Sequence, residues 1–147
     1  MSGKKRVLLA VLLAIGAVAI YVYREYNRTN VNISAVKPAF TVSAPELIMA
    51  FTADDSIAGK KYIGKVISIK GMVKTVDKDD RGYYTLSLGD TSSMSSVRCS
   101  IDSMYTDRAS SIKPGMSVVV KGNCTGYNED DLLGLDVIVN RCVIEEK

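Results

Sequence analysis

The sequence predicts a mainly β domain, closed into a small five-stranded barrel and carried behind one N-terminal membrane-spanning helix. Three observations point there. Residues 7–23 run without a charge. From residue 62 onward apolar side chains recur at every second position, the period of a half-buried strand. The longest alternating stretch has Gly71 near its centre, where a strand can bend and serve two sheets.

The apolar run Val7 to Tyr23 (VLLAVLLAIGAVAIYVY) spans roughly 26 Å as a helix at about 1.5 Å per residue, close to the hydrocarbon thickness of a bilayer. It is apolar on every face, so a water-soluble amphipathic helix is a poor reading. Tyr21, Tyr23 and Tyr26 stand where an interfacial aromatic belt would stand. Lys4, Lys5 and Arg6 precede the run, while Arg24 and Arg28 follow it with Glu25 between them. The positive-inside rule then leaves the N-terminus cytoplasmic and residues 28–147 on the far side. A cleaved signal peptide is the rival, because Ala17-Val18-Ala19 has the small-x-small form of a cleavage site. The run continues to Tyr23, which favours an uncleaved signal anchor. No cysteine follows it closely, so an acyl anchor lacks an attachment point.

Residues 27–42 (NRTNVNISAVKPAFTV) are polar, β-branched and interrupted by Pro38, and read as an extended tether. The chain thus divides into an anchor (1–26), a linker (27–42) and a folded domain (43–147). Ser43-Ala44-Pro45-Glu46 has the capping-box form and opens a helix that buries Leu47, Ile48 and Phe51 and ends near Asp54-Asp55. Ser56 to Lys61 leads into a long first strand, residues 62–76. There Ile67, Ile69, Gly71 and Val73 face inward, and Ser68, Lys70, Met72 and Lys74 outward. Asp77 to Gly82 is a turn. In the second strand Tyr84, Leu86 and Leu88 alternate with Tyr83, Thr85 and Ser87. In the third, Val97, Cys99 and Ile101 alternate with Arg98, Ser100 and Asp102.

Residues 103–112 break the alternation as a short helix, stopped by Lys113-Pro114-Gly115. Val118, Val120, Gly122 and Cys124 form the fourth strand, and Asn128 to Asp131 an acidic loop. The last strand, residues 132–144, changes phase between Val139 and Cys142, which a bulge near Asn140 reconciles. Three strands, a short helix and two more strands make the plan of the OB-fold, a five-stranded Greek-key barrel, here with a preceding helix. An open α+β sheet is the alternative, and the glycine-bent first strand argues against it.

The chain has no histidine. That removes Ser-His-Asp and Cys-His catalysis and every zinc site built on imidazole. No cofactor or metal is expected. Asp77-Lys78-Asp79-Asp80-Arg81-Gly82 fails as a calcium loop, because Arg81 takes a ligand position and the twelfth position is Leu88. Residues 1–40 carry six basic groups and one acidic, residues 41–147 thirteen basic and fifteen acidic. The domain is therefore slightly acidic, the wrong sign for a phosphate binder.

An OB barrel binds along the outer face of its second and third strands. That places Tyr83, Thr85, Ser87, Arg98 and Ser100 on the candidate surface, with Lys70, Lys74 and Tyr127 beside it. Tyr83 and Tyr127 are the two candidate stacking platforms. Six carboxylates in the flanking loops, Asp77, Asp79, Asp80, Glu129, Asp130 and Asp131, stand against Lys78 and Arg81 and repel nucleic acid without excluding it. The lysines at 60, 61, 65, 70, 74 and 78 read as a solvated strand rim, with contact to anionic headgroups as the sharper alternative. Cys99, Cys124 and Cys142 lie in strands. Two of them could bridge in an oxidising compartment, and the spacing does not choose the pair.

The stretch Lys61-Tyr62-Ile63-Gly64-Lys65-Val66-Ile67-Ser68-Ile69-Lys70-Gly71 resembles the first-strand motif of the bacterial tRNA anticodon-like OB-fold family. Gly115 to Gly126 (GMSVVVKGNCTG) is similar to its fourth strand, and Asn140-Arg141-Cys142-Val143-Ile144 to its close. The resemblance covers about residues 44–144. It implies an OB-fold, often behind a hydrophobic anchor or lipoprotein signal, and supplies no catalytic residues. The expected protein is a single-pass inner-membrane, periplasmic, non-enzymatic binding module for an envelope protein, peptide or glycan. The alternative is a single-stranded or tRNA-like nucleic-acid binder.

Overall fold

The computed structural model describes residues 3–26 and 32–145, and the chain forms two units, 1–31 and 32–147. The first holds α1 (Gly3–Tyr26). Within α1, Val7–Tyr26 is long and apolar enough to cross a membrane, a property that anchors and signal sequences share.

The second unit opens with a 3₁₀ turn, Ile33–Ala35. It continues through β1 (Phe40–Ser43), α2 (Ala44–Ala53), α3 (Asp55–Tyr62), β2 (Val66–Lys78), β3 (Tyr84–Leu88) and β4 (Ser96–Ile101). A second 3₁₀ turn, Ser103–Tyr105, leads to α4 (Thr106–Ser110), β5 (Ser117–Asp130) and β6 (Gly134–Glu145). The strands run β2-β3-β4-β6-β5, and β5 returns to β2. Only the β4–β6 contact in this ring is parallel. This is the OB barrel the alternation predicts.

Closure depends on β2. Its residues Val66 to Met72 pair with β5, and Val73 to Lys78 pair with β3. Gly71 sits at the handover. A Cβ there would lie 2.9 Å from Ala44 Cβ and 3.2 Å from Leu88 Cβ, so the missing side chain lets the first turn of α2 seat on the barrel. Leu47 and Phe51 from α2 then join Ile67, Ile69, Leu86, Val97, Val120 and Val137 in one core. The capping box forms as expected. Ser43 N–H donates to Glu46 Oε2 at 2.8 Å, and Glu46 N–H to Ser43 Oγ at 3.4 Å. Ser43 N–H and the Ser43 hydroxyl, which donates at 2.7 Å, together hold the Glu46 carboxyl below its ordinary range.

The bulge near Asn140 is present. Cys99 pairs with Val139 but Ile101 with Cys142, and Arg141 takes φ +55°. The extra residue moves Cys142 to the inner face. The short helix after β4 is shorter than expected: a 3₁₀ turn and α4 bury Ala109, with Ile112 buried just beyond, and leave Met104 exposed.

Three expectations are corrected. The first concerns the tether: of residues 27–42, those from 32 onward fold onto the barrel, while 27–31 lie outside the described residues. Ile33 is buried, and β1 pairs in parallel with β2, Phe40 beside Ile67 and Ser43 beside Lys70. Lys121 secures this segment. Its buried ammonium donates to Ser34 O at 2.9 Å and lies 3.4 Å from Glu145 Oε1, while Ser68 Oγ donates to Glu145 Oε2 at 2.7 Å. Ser68 therefore faces a filled site and not solvent.

The second concerns the start of the first strand. Asp54 Oδ1 accepts from Ile57 N–H at 2.9 Å and starts α3, so Tyr62 ends a helix. Its ring packs 5.4 Å from Phe40 and 6.2 Å from Phe51 between centroids. The third concerns the acidic loop. Asn128, Glu129 and Asp130 are paired strand residues, opposite Asp136, Leu135 and Gly134.

Gly122 is the tightest point in the ring. A Cβ there would lie 2.6 Å from Cys142 Sγ and 2.7 Å from Val139 Cγ1. Gly122→Ala should lower unfolding free energy by about 1–3 kcal/mol in urea denaturation. Gly126→Ala, where a Cβ meets nothing within 4 Å, should stay within about 0.5 kcal/mol of wild type.

Candidate functional site

The outer wall of β3, β4 and β6 is built from short polar side chains. Thr85 stands opposite Ser100, and Ser87 opposite Arg98. Thr75 and Asp77 extend the row on β2, and Ile138 extends it on β6. Arg98 is the one cation in this row, and Asp136 faces it at 3.8 Å. The same carboxylate accepts from Ser96 Oγ at 2.6 Å, so it is held in place beneath the guanidinium.

Two turns flank the wall. In the β2–β3 turn Asp79 Oδ1 accepts from Arg81 N–H at 3.0 Å and Tyr83 N–H at 2.8 Å. At the β5–β6 tip Asp130 Oδ1 accepts from Leu132 N–H and Leu133 N–H at 2.8 and 3.0 Å. The carboxylates at these positions therefore shape the turns as well as charging them. Leu132 and Leu133 project from the tip, both largely exposed.

The sequence-predicted residues separate into two groups. Tyr83, Thr85, Arg98 and Ser100 do share the wall, and the Tyr83 ring is half exposed at its edge. Lys70, Lys74 and Tyr127 do not join them. Lys70 lies on the half of β2 that pairs with β1 and β5. Lys74 Nζ donates to Ser93 O at 2.6 Å and Ser95 O at 3.0 Å, pinning the β3–β4 loop. Tyr127 pairs with Val137 and so turns toward the helices. Its ring packs 5.2 Å from Phe51, and its hydroxyl donates to Asp55. That bond raises the phenol above its usual range. Tyr127 is thus a strut between the β5–β6 hairpin and α3, leaving Tyr83 as the candidate stacking ring.

Sequence reasoning missed Asp136, the partner that neutralises Arg98. Its signal was the last strand's own alternation, which sets Asp136 and Ile138 on the face opposite Leu135, Val137 and Val139. Among the described residues, no group of three or more histidine, cysteine or carboxylate side chains is placed to hold a metal ion.

The three thiols converge from β4, β5 and β6 around Val139, which pairs with both Cys99 and Cys124. All are buried and free. Burial pushes Cys124 up to about 11. Burial, together with a hydrogen bond to Cys99, also pushes Cys142 up.

The family model described as tRNA_anti-like matches residues 1–143. No curated protein matches the chain. Among solved structures, one similar to it is a lipoprotein of Klebsiella pneumoniae subsp. pneumoniae MGH 78578, provisionally designated nucleic acid-binding. The TM-score is 0.56 at 12% identity, over 71% of this chain and 91% of that one. At that identity the likeness shows the fold alone. The Entamoeba histolytica asparaginyl-tRNA synthetase bound to asparaginyl-adenylate matches with TM-score 0.41 and 17% identity, over 57% of this chain and 21% of that one. The S. pombe Stn1–Ten1 complex matches with TM-score 0.37 and 24% identity, over 56% and 59%.

In the fully reduced protein, a thiol reagent should label no cysteine in the native state and all three in guanidinium. The raised thiols keep protons that the unfolded chain releases, so stability should fall as pH rises from 9 toward 11. Cys124→Ala should make that fall shallower in urea titrations across the same range.

Proposed function

The chain belongs to the tRNA_anti-like family, and from that premise we propose that it is a membrane-anchored, extracytoplasmic OB-fold module. It binds an envelope peptide or protein and catalyses nothing. The observation that carries this reading is the charge on the barrel wall. Arg98 is matched by Asp136, and the β2–β3 turn and the end of the β5–β6 hairpin present Asp79, Asp80, Glu129, Asp130 and Asp131 against Lys78 and Arg81. Such a surface repels a phosphate backbone and suits an uncharged or cationic ligand. The hydroxyls of the half-buried Thr85 and Ser100 supply hydrogen bonds to a peptide's amide groups.

The chain's own chemistry speaks against catalysis. There is no histidine to act as a base, and the thiols lie in the core with raised affinity for protons. The anchor reading rests on α1 and on the basic residues ahead of it.

A second reading is single-stranded nucleic-acid binding. The exposed Tyr83 ring favours it, and so does the designation carried by the Klebsiella lipoprotein. The soluble fragment 32–147, which contains the whole core cluster, separates the two. Titrated with labelled single-stranded DNA and RNA at about 0.15 M salt, it should give no saturable shift. Nanomolar binding that weakens steeply with added salt would establish the second reading instead.

In spheroplasts of a bacterial host, added protease should digest the barrel of the full-length chain while the membrane stays sealed. A barrel protected until lysis would overturn the topology.

A further inference from the structure

We propose that Lys37, Lys60, Lys61 and Lys65 form a docking face for an anionic phospholipid surface, which holds the barrel against the bilayer. This deepens the membrane-anchored reading and rests on it.

The fold gathers lysines that are scattered in the sequence. Lys60 and Lys61 end α3, and Lys65 lies in the turn before β2. Ala39 N–H donates to Val66 O at 2.7 Å, which brings the stretch holding Lys37 alongside that turn. All four side chains are exposed. The ion pairs among the described residues join Arg98 to Asp136 and Lys121 to Glu145, and none of the four lysines takes part. Two of them meet aromatic rings instead. Lys61 Nζ lies 5.4 Å from the Phe40 ring centroid and 4.9 Å from that of Tyr62, and Lys65 Nζ lies 5.3 Å from Phe40. The ring faces hold these two ammonium groups at exposed positions. Clustered lysines without an ion-pair partner match the electrostatics of an anionic leaflet.

Two further observations favour a lipid surface over nucleic acid. Tyr62 is only 4% exposed, and the lysines lie over Phe40, so neither ring is open to stack a base. The connection is also short. Only residues 27–31 join α1 to the barrel unit, a stretch reaching at most about 20 Å when fully extended. Even weak headgroup contacts then act at high effective concentration.

Co-sedimentation tests this with fragment 32–147 and vesicles of phosphatidylcholine with or without about 30% phosphatidylglycerol. The fragment should partition onto the anionic vesicles only, and lose that partition near 0.5 M salt. The variant K37Q/K60Q/K61Q/K65Q should bind at least about tenfold more weakly, with an unchanged thermal melt. The same four positions changed to arginine should restore binding, and K113Q, a lysine elsewhere, should leave it intact. Equal binding by wild type and the glutamine variant would overturn the proposal. So would no binding to anionic vesicles, or a preference of these lysines for single-stranded RNA. The anchor reading fails separately. If residues 1–26 are found cleaved from the mature protein while the fragment still binds vesicles, the docking face stands and the anchor does not.

Discussion

Halfway along β2 the strand exchanges β5 for β3 as its partner, and the ring of hydrogen bonds closes through that exchange. An open sheet of these strands would leave the inner edges of β2 and β5 unpaired, at the cost of unsatisfied backbone groups. The exchange demands space on the inner side, and the two crowded glycines provide it. Gly71 admits Ala44, and Gly122 admits Cys142 and Val139. Once the ring is closed, α2 has one place to bury Leu47 and Phe51. Tyr62 and Tyr127 then both pack against the Phe51 ring, and Tyr62 against Phe40 as well.

The alternation of β2, β3 and β4 was legible because each strand has one wet face and one dry face. The phase change in β6 was legible for the same reason, since Cys142 breaks the pattern that Leu135 begins. What escaped sequence reading depends on contacts far along the chain. Phe40–Ser43 is too short to signal a strand, and it becomes one only through β2. Lys121 looks like an outward lysine, yet it is buried because Glu145 and Ser34 surround it. Helix α3 has only Ala58 and Tyr62 on its buried face, a weak stripe that Asp54 nonetheless caps. Of the candidate surface, Thr85 and Arg98 could be placed from period alone. Tyr127 could not, because β5 runs on past the point where its loop was expected, and strand pairing turns the ring inward.

OB barrels serve many ligands, so the barrel by itself assigns none. What distinguishes this one is where its charges fall. The wall most often used for binding carries a neutralised arginine between acidic turns, while unpaired lysines collect around Phe40 and Tyr62. A barrel with that distribution is oriented by electric field before it touches anything.

The bond network of Lys121 also fixes where the chain enters and leaves. Ser34 and Glu145 both reach the same ammonium group, so the two ends of the barrel unit emerge within a side chain's length of each other. A reporter fused after residue 145 would therefore come out beside the natural point of entry and leave the β3–β4–β6 wall uncovered. By the same geometry, joining the two ends and cutting the chain at the exposed Leu132-Leu133 tip would give a circular permutant with the strand pairings kept.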